Sequence, residues 1–198
     1  MPAPPVPATV LCQVPVADRR ARERLTRALR DALARRGAPP RRVVFACIGS
    51  DRSTGDALGP LVGERLCDAA VPCEVVGTVE RPLHALNLAE RLPAGGDGDE
   101  APLVVAVDAA LGALPAVGTV ALRAGGLRPG EGLGKRLPAV GELAVTATVN
   151  VRAGALDAQI LQSTRLYLVR EMAHLIADAC ADAIAPVATA ALGISSRA

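Results

Sequence analysis

The sequence predicts an α/β protein, a three-layer α/β/α sandwich built around a mostly parallel, mixed sheet. Short apolar runs alternate along the chain with segments whose apolar residues recur at helical spacing, as they do in such folds. The runs at 43–48 and 102–107 are continuously apolar, which is typical of parallel strands covered on both faces. Those at 117–122 and 143–151 have no helix between them, so the sheet is predicted to be mixed in this part.

The first elements follow from apolar spacing and helix-stop signals. Leu25, Leu29 and Leu33 form an apolar stripe that predicts a helix over 18–36, which Gly37 ends. Strand 43–48 and a helix over 56–70 come next. The sequence then predicts a short strand over 72–76, a helix over 82–92 with Pro82 in its first turn, and strand 102–107.

The second half is predicted to contain strands 117–122 and 143–151 and a long final helix that Ser163 or Thr164 starts. Six glycines lie between Gly125 and Gly141, which implies tight turns or close backbone approach. This loop lacks the pattern of a phosphate-binding loop. A flap over the site and a long surface connection both remain open readings.

Residues 17–186 are expected to form one α/β domain, which is an ordinary size for a chain of 198 residues. Residues 1–16 read as a Pro-rich tail, ill-ordered or laid along the surface, and as a candidate propeptide. Residues 187–198 read as a C-terminal tail whose small apolar side chains could pack on another subunit, so a homo-oligomer is possible.

Composition excludes several classes of partner. The chain is 51% hydrophobic and only 1% aromatic, so its core must be built from Ala, Val, Leu and Ile. A net charge of +2, from 22 basic and 20 acidic residues, argues against direct nucleic-acid binding. No apolar stretch is long enough to span a membrane, and the Pro-broken start is a poor signal peptide. A cytoplasmic protein is expected.

The five cysteines are odd in number and have no metal-ligand spacing. Cys47 lies in a predicted strand, and Cys67 and Cys180 lie in predicted helices. Buried free thiols in a reducing compartment are therefore expected.

Two aspartates follow neighbouring strands of the predicted sheet. Asp56 lies in the polar loop after strand 43–48. Asp108 follows strand 102–107 and is the last residue before the predicted turn. Ligands bind at the carboxyl ends of strands in open α/β sheets, and parallel neighbours place both acids at one rim. In the competing structural interpretation, Asp56 or Thr54 only caps the following helix.

Further polar side chains are expected at the same rim. We predict positioning or substrate-binding roles for seven residues. Asp51, Arg52, Ser53 and Thr54 lie in the loop, Glu80 and His84 follow strand 72–76, and Asn150 lies in strand 143–151. His174 faces the polar side of the final helix and receives no role.

Several segments resemble the YyaC-type sporulation proteins of spore-forming Firmicutes over about residues 42–180. They are GSDRSTGDALGP at 49–60, VVAVDAALG at 104–112, VGTVAL at 117–122, GLRPGEGLGKRLPAVGE at 126–142, TATVNV at 146–151 and LQSTRL at 161–166. That family is similar to the germination protease that degrades small acid-soluble spore proteins, and more distantly to the hydrogenase maturation proteases. The resemblance implies their fold, a small spore protein or peptide as substrate, and a location in the forespore or spore interior.

The resemblance also implies a site. The Thr-Pro-Asp-Ala-Leu-Gly segment of germination protease is matched by residues 54–59, and its Asp-Ala-Leu segment is matched from Asp108. In the hydrogenase maturation proteases the same two acids bind the metal of the substrate, together with a His on a later strand. Here no His lies between Asp108 and His174, so no metal and no cofactor are expected.

Paired carboxylates imply a definite chemistry. Two close carboxyls share one proton, so one can deprotonate a water while the other polarises the amide carbonyl. Asp56 and Asp108 are the predicted catalytic dyad of an endopeptidase, with the base unassigned. The alternatives are a non-catalytic sporulation factor that binds a peptide or protein at this rim, and a metal-dependent hydrolase using the two acids with His84 or Glu80.

Overall fold

The computed structural model describes residues 9–37, 42–93, 101–129 and 139–191, and beyond residue 185 its backbone only. The strands in this part of the chain are β1 (Thr9–Pro15), β2 (Val43–Cys47), β3 (Glu74–Val76), β4 (Leu103–Gly112), β5 (Thr119–Ala124) and β6 (Leu143–Val151). The helices are α1 (Ala21–Ala34), α2 (Leu58–Asp68), α3 (Leu88–Arg91), α4 (Asp157–Gln162) and α5 (Leu166–Ala191).

The strands form one six-stranded sheet in the order β1-β5-β6-β4-β2-β3. β2 pairs in parallel with both β3 and β4, and β4 pairs in parallel with β6. β5 runs antiparallel to β6, and β1 runs antiparallel to β5. The predicted α/β class and the mixed sheet are therefore confirmed.

Helices cover both faces of the sheet, so the three-layer arrangement is confirmed. On one face Phe45 and Val105 pack in the main core with buried residues of α1, α2 and α5. On the other face Ala46 and Ala106 pack with Leu88 of α3 in a smaller cluster. Because successive side chains of a strand point to opposite faces, β2 and β4 supply both cores.

Ion pairs join the helices of the main layer at its surface. Asp178 of α5 accepts from Arg65 of α2 at 2.7 Å and from Arg22 of α1 at 3.2 Å. Asp182, one turn further on, accepts from the same Arg22 at 2.7 Å. These partly exposed pairs add little stability individually, but they fix how α1 and α2 meet α5.

Helix α2 packs against the residues that follow β2 and β3, with its backbone in close contact with theirs. A Cβ added at Gly59 would stand 2.0 Å from the Ile48 carbonyl oxygen, and one added at Gly63 would stand 1.8 Å from that of Gly77. Gly77 itself has φ +103°, a region that L side chains avoid. The glycines therefore hold the start of α2, and the loop before it, directly over the end of β2.

Two predicted features near the chain ends differ in the structure. Residues 1–16 were expected to be a tail, ill-ordered or laid along the surface, but Thr9–Pro15 forms edge strand β1, paired with β5 from Thr9–Ala124 to Pro15–Thr119. The helix expected to start at Ser163 or Thr164 begins at Leu166. Both hydroxyls instead donate back to carbonyls of α4, Ser163 to Gln159 at 2.9 Å and Thr164 to Ile160 at 2.7 Å.

The helix predicted over 82–92 is also wrong for most of its length. Only Leu88–Arg91 is helical, because Leu83 is held in a parallel bridge to Ile48 and its carbonyl accepts from the Gly49 N–H at 2.8 Å. His84 consequently lies in a loop beside the end of β2 rather than in the first turn of a helix.

Strand β4 is longer than predicted. It continues past Asp108 to Gly112 because β6 supplies backbone partners beyond the end of β2, from Asp108–Thr146 to Gly112–Val151. Asp108 is therefore an interior residue of a strand, and the prediction that it ends one is wrong.

All five cysteines are free thiols, as predicted, and Cys47 and Cys180 are buried. Cys67 is exposed, so its predicted burial is wrong. In the glycine-rich loop, Leu127 forms an antiparallel bridge with Val140. Residues 130–138 of this loop lie outside the described residues, so the flap over the site stays a prediction.

Candidate active site

The site lies at the carboxyl ends of the neighbouring strands β2 and β4. After β2 the chain passes through α2 to β3 on one side of β2, and later returns as β4 on the other side. This is a topological switch point, where an open α/β sheet leaves a crevice at the carboxyl ends of its strands. Asp56 follows β2 and Asp108 lies one residue beyond the last β2–β4 pair, Cys47–Val107.

Asp56 occupies the loop between β2 and α2. Residue 57 is the N-cap of α2 and makes no side-chain cap hydrogen bond, so the prediction that Asp56 or Thr54 caps the helix is wrong. The Ser50 N–H donates to the Asp56 backbone carbonyl at 3.3 Å and also to its carboxyl group. Burial raises the pKa of Asp56, and the Ser50 N–H and His84 partly offset that rise.

Asp108 projects from β4 onto the face that carries Ala106, since residues two apart share a face of a strand. Its Oδ1 accepts from the Ala109 N–H at 2.8 Å. Burial raises the pKa of Asp108 well above its usual range, and the negative charge of Asp56 raises it further. The two carboxyl groups are thus close enough for the charge of Asp56 to influence the ionisation of Asp108.

Neither carboxyl has an ion-pair partner among the described residues. Asp56 and Asp108 are half-buried, and a partly desolvated carboxylate without a cation is costly, two adjacent ones more so. Sharing one proton removes one of the two charges. The arrangement therefore favours a pair in which one carboxyl is protonated and the other is ionised.

This arrangement has a consequence for stability. Because the pKa of Asp108 is raised in the folded state, ionisation destabilises the fold as pH rises above 3.8, the ordinary value of a carboxyl. Asp108→Asn stays neutral and keeps the Oδ1 acceptor for the Ala109 N–H. We expect the variant to unfold at a higher temperature than the wild type at pH 7 and at the same temperature at pH 3, measured by calorimetry. Equal midpoints at both pH values would contradict the raised pKa.

A groove of about 460 Å³ opens beside the loop that carries Asp56, although neither Asp56 nor Asp108 lines it. It is lined by Ser50, Asp51, Arg52, Val79, Glu80, Pro82, His84, Ala85 and Leu86. Four of the predicted site residues, Asp51, Arg52, Glu80 and His84, thus border one depression. Ser50, whose N–H reaches Asp56, connects the groove to the paired carboxyls. The groove combines charged rims with an apolar wall, which suits an extended peptide.

Ser53 and Thr54 do not line the groove. The Ser53 carbonyl accepts from the Ala57 N–H at 2.9 Å, so the loop turns tightly into α2. The Ser53 hydroxyl is buried and has no hydrogen-bond partner among the residues that the structure describes. The substrate-binding roles predicted for these two residues stay predictions.

Asn150 contacts the turn between α4 and α5. Its amide nitrogen donates to the Thr164 hydroxyl at 3.2 Å and to the Ile160 carbonyl at 3.4 Å. The turn so fixed reaches the Asp loop, because the Gly55 N–H donates to the Leu161 carbonyl at 2.8 Å. Asn150 is therefore connected to the Asp loop through this turn and is not among the residues that line the groove, and its substrate-binding role stays a prediction.

Sequence reasoning missed Ser50, Gly55 and Thr164 as parts of the site. Gly55 leaves no room for a side chain, since an added Cβ would lie 2.8 Å from Leu161 Cδ2 and 3.1 Å from the Thr164 hydroxyl. Thr164 is only 5% exposed. The one available signal was the LQST segment at 161–164, a polar turn between two helical patterns.

The described side chains include no group of three or more His, Cys, Asp or Glu placed to hold a metal ion. Asp56, Asp108 and His84 or Glu80 therefore do not form such a group. In the same part of the chain, no helix combines the length and the apolar character that crossing a bilayer requires.

Fold and site together define an open α/β protein with an acidic pair at the switch point of its sheet. The chain belongs to the family described as "Protein of unknown function (DUF1256)", whose model matches residues 13–179. It is similar to the "Uncharacterized protein YyaC" of Bacillus subtilis (strain 168), with 42% identity over 144 residues, 72% of this chain and 70% of that protein. The YyaC-type resemblance is therefore confirmed, while the similarity to germination protease stays a prediction.

Proposed function

We propose that the protein is an endopeptidase whose catalytic groups are Asp56 and Asp108. The observation that supports this most strongly is the pair of carboxyls at the switch point, where the charge of Asp56 raises the pKa of Asp108 and neither has a cationic partner among the described residues. A groove of about 460 Å³ borders the loop that carries Asp56. Structural ion pairs carry a compensating cation, and this pair has none in the described part.

The two acids have different surroundings, which gives them different roles in the proposal. The Asp56 carboxyl accepts a hydrogen bond from the Ser50 N–H and is near His84. Ser50 and His84 both lower the pKa of Asp56 and so favour its ionised form. Asp108 accepts a hydrogen bond from the Ala109 N–H, and the charge of Asp56 raises the pKa of Asp108. Asp56 is therefore the base, and Asp108 holds the shared proton.

In the proposed reaction Asp56 takes a proton from a water, and the resulting hydroxide attacks the carbonyl carbon of the substrate amide. Asp108 gives its proton to the carbonyl oxygen, so the tetrahedral intermediate is neutral. When the C–N bond breaks, Asp56 returns its proton to the leaving amine and Asp108 recovers one from the collapsing hydroxyl. The products are a free carboxyl and a free amine, and the dyad regains its starting state.

The proposed substrates are small spore proteins, cleaved in the forespore or spore interior. This part of the proposal rests on the resemblance to germination protease that the sequence predicts. It adds to the family membership a proposed role in sporulation or germination. The groove supports a peptide substrate through its apolar Val79, Pro82 and Leu86, the last 89% exposed.

Incubation of the purified protein with a recombinant small acid-soluble spore protein, followed by mass spectrometry of new termini, tests the proposal. Discrete internal cleavages made by the wild type, and absent with Asp108→Asn, are expected. An intact substrate that nevertheless co-elutes with the protein would contradict catalysis and favour the non-catalytic reading, in which the same rim binds a partner. Loss of cleavage on adding a chelator would instead favour the metal-dependent reading.

A further inference from the structure

We infer that Thr146 is a third catalytic residue, whose hydroxyl donates a hydrogen bond to the carbonyl oxygen of the amide being cleaved. The inference rests on the proposed function and adds a residue of β6 to the two acids. Three observations support it: the register of the sheet, the face on which residue 146 lies, and a hydroxyl that has no partner in the described part of the chain.

The register of the sheet places Thr146 beside Asp108. Strands β4 and β6 pair in parallel, and Asp108 is directly opposite Thr146 in that pairing. Neighbouring strands lie about 4.8 Å apart, and residues directly opposite each other point to the same side of a sheet. The irregularity in this pairing comes only after Ala110, so no bulge displaces Thr146 from Asp108.

Thr146 points away from the main core, to the same face of the sheet as Asp108. Its neighbours along β6, Val145 and Ala147, pack in the main core, and successive side chains of a strand alternate between faces. The other neighbour of β4 is β2, which is followed by the loop that carries Asp56. Asp108 therefore lies between the strand that leads to Asp56 and the strand that carries Thr146.

The Thr146 hydroxyl is available to a bound substrate. Thr146 is half-buried, and its hydroxyl makes no hydrogen bond to any residue that the structure describes. Within those residues, the enclosed side-chain oxygen that lacks a partner belongs to Ser53, so the Thr146 oxygen is accessible. Asn150, further along β6, differs because its amide nitrogen already donates to the Thr164 hydroxyl. A hydroxyl always carries a donor hydrogen, so Thr146 offers one beside Asp108.

The proposed reaction has a place for this donor. Asp56 holds the attacking water, so the carbonyl oxygen that receives the Asp108 proton lies on the side of Asp108 away from that water. This is the side of β6. The oxygen gains negative charge as the water attacks, and a donor already in place stabilises that charge without reorganising. Thr146 keeps its own proton throughout, so the proton balance between the two acids is unchanged.

Matched substitutions separate this role from a structural one. Thr146→Val keeps the shape of the side chain and removes the hydroxyl, whereas Thr146→Ser keeps the hydroxyl. Loss of one donor to a developing oxyanion costs about 10²- to 10³-fold in kcat. We therefore expect Thr146→Val to lower kcat by about 100-fold or more with KM nearly unchanged, and Thr146→Ser to stay within about tenfold of the wild type. Thr148→Val is the control, since Thr148 is opposite Ala110, about 7 Å further along the same face, and we expect wild-type activity.

The experiment measures kcat and KM of the full chain and these variants on one peptide substrate across a range of pH, with thermal unfolding as a check of the fold. An unchanged kcat in folded Thr146→Val, or equal losses in Thr146→Val and Thr148→Val, would overturn the inference. So would a rise in KM at constant kcat, which would make Thr146 a binding residue only. A pH profile that shifts while its maximum stays unchanged would also overturn it, because the hydroxyl would then act only on the ionisation of Asp108.

If Thr146→Val does not fold, the comparison of Thr146→Ser with Thr146→Ala decides, and equal kcat in those two variants would overturn the inference. A wild type that cleaves nothing would overturn the proposed function as well. An active wild type with inactive Asp108→Asn and unaffected Thr146 variants would overturn this inference alone.

Discussion

Asp56→Asn is expected to lower the rate of peptide cleavage by about 10³-fold or more. The variant keeps the size of the side chain and its acceptor oxygen for the Ser50 N–H, but it cannot take a proton from water. General base catalysis contributes about 10²- to 10⁴-fold, and the loss of Asp56 also removes the charge that keeps the proton on Asp108. Steady-state kinetics on one cleavage site identified by mass spectrometry would measure the change.

Asp68→Asn provides a matched control, because Asp68 is exposed at the end of α2, away from the loop and the groove. The same charge is removed, so we expect wild-type activity. Equal activity of Asp56→Asn, Asp68→Asn and wild type would contradict the dyad. Equal loss in both variants would point to net charge rather than to the site.

Gly63→Ala is expected to destabilise the fold by about 3 kcal/mol or more, which corresponds to roughly 10 °C in the unfolding midpoint. In an isolated helix the same change would stabilise by about 1 kcal/mol. Here the methyl group would stand 1.8 Å from the Gly77 carbonyl oxygen, and Gly77 is in turn held against the Cys47 carbonyl. Neither backbone has space to retreat, so α2 must move away from the strand ends. Calorimetry or chemical denaturation would measure the loss.

Gly154→Ala separates this clash from the ordinary cost of replacing a glycine. Gly154 has a positive φ of 62°, but an added Cβ there meets no atom of the described residues within 4 Å. We expect a loss of about 1 kcal/mol from backbone strain alone. A Gly63→Ala variant as stable as the wild type, or no less stable than Gly154→Ala, would show that α2 does not lie on β2 as described.

The unit from β2 to α2 was predictable because its signals are local. A continuous apolar run, a polar loop and a helical stripe follow one another within 43–68, and the structure has them in that order. The closeness of Asp56 and Asp108 was predictable for a different reason. Parallel strands bring their carboxyl ends to one edge, so two acids at equivalent places meet whatever the details of the connection.

What sequence reasoning missed depends on partners distant along the chain. β1 was read as a tail because its partner β5 is more than a hundred residues away, as Thr9–Ala124 shows. The predicted end of β4 was placed at Asp108, because the strand pairing that extends β4 further comes from β6. Leu83 has helical spacing with its successors, but its bridge to Ile48 prevents the helix. In each case tertiary pairing overrides a local pattern.

The coupling of the two carboxyls is measured most directly by NMR titration of the Asp108 side-chain carbon in the wild type and in Asp56→Asn. We expect Asp108 to titrate well above the ordinary pKa of an aspartate in the wild type, because of burial and of the Asp56 charge. In Asp56→Asn the charge is gone, so the pKa of Asp108 should fall while remaining raised by burial. An Asp108 that titrates at an ordinary pKa, or one whose pKa is the same in both proteins, would contradict a shared proton and with it the proposed peptidase.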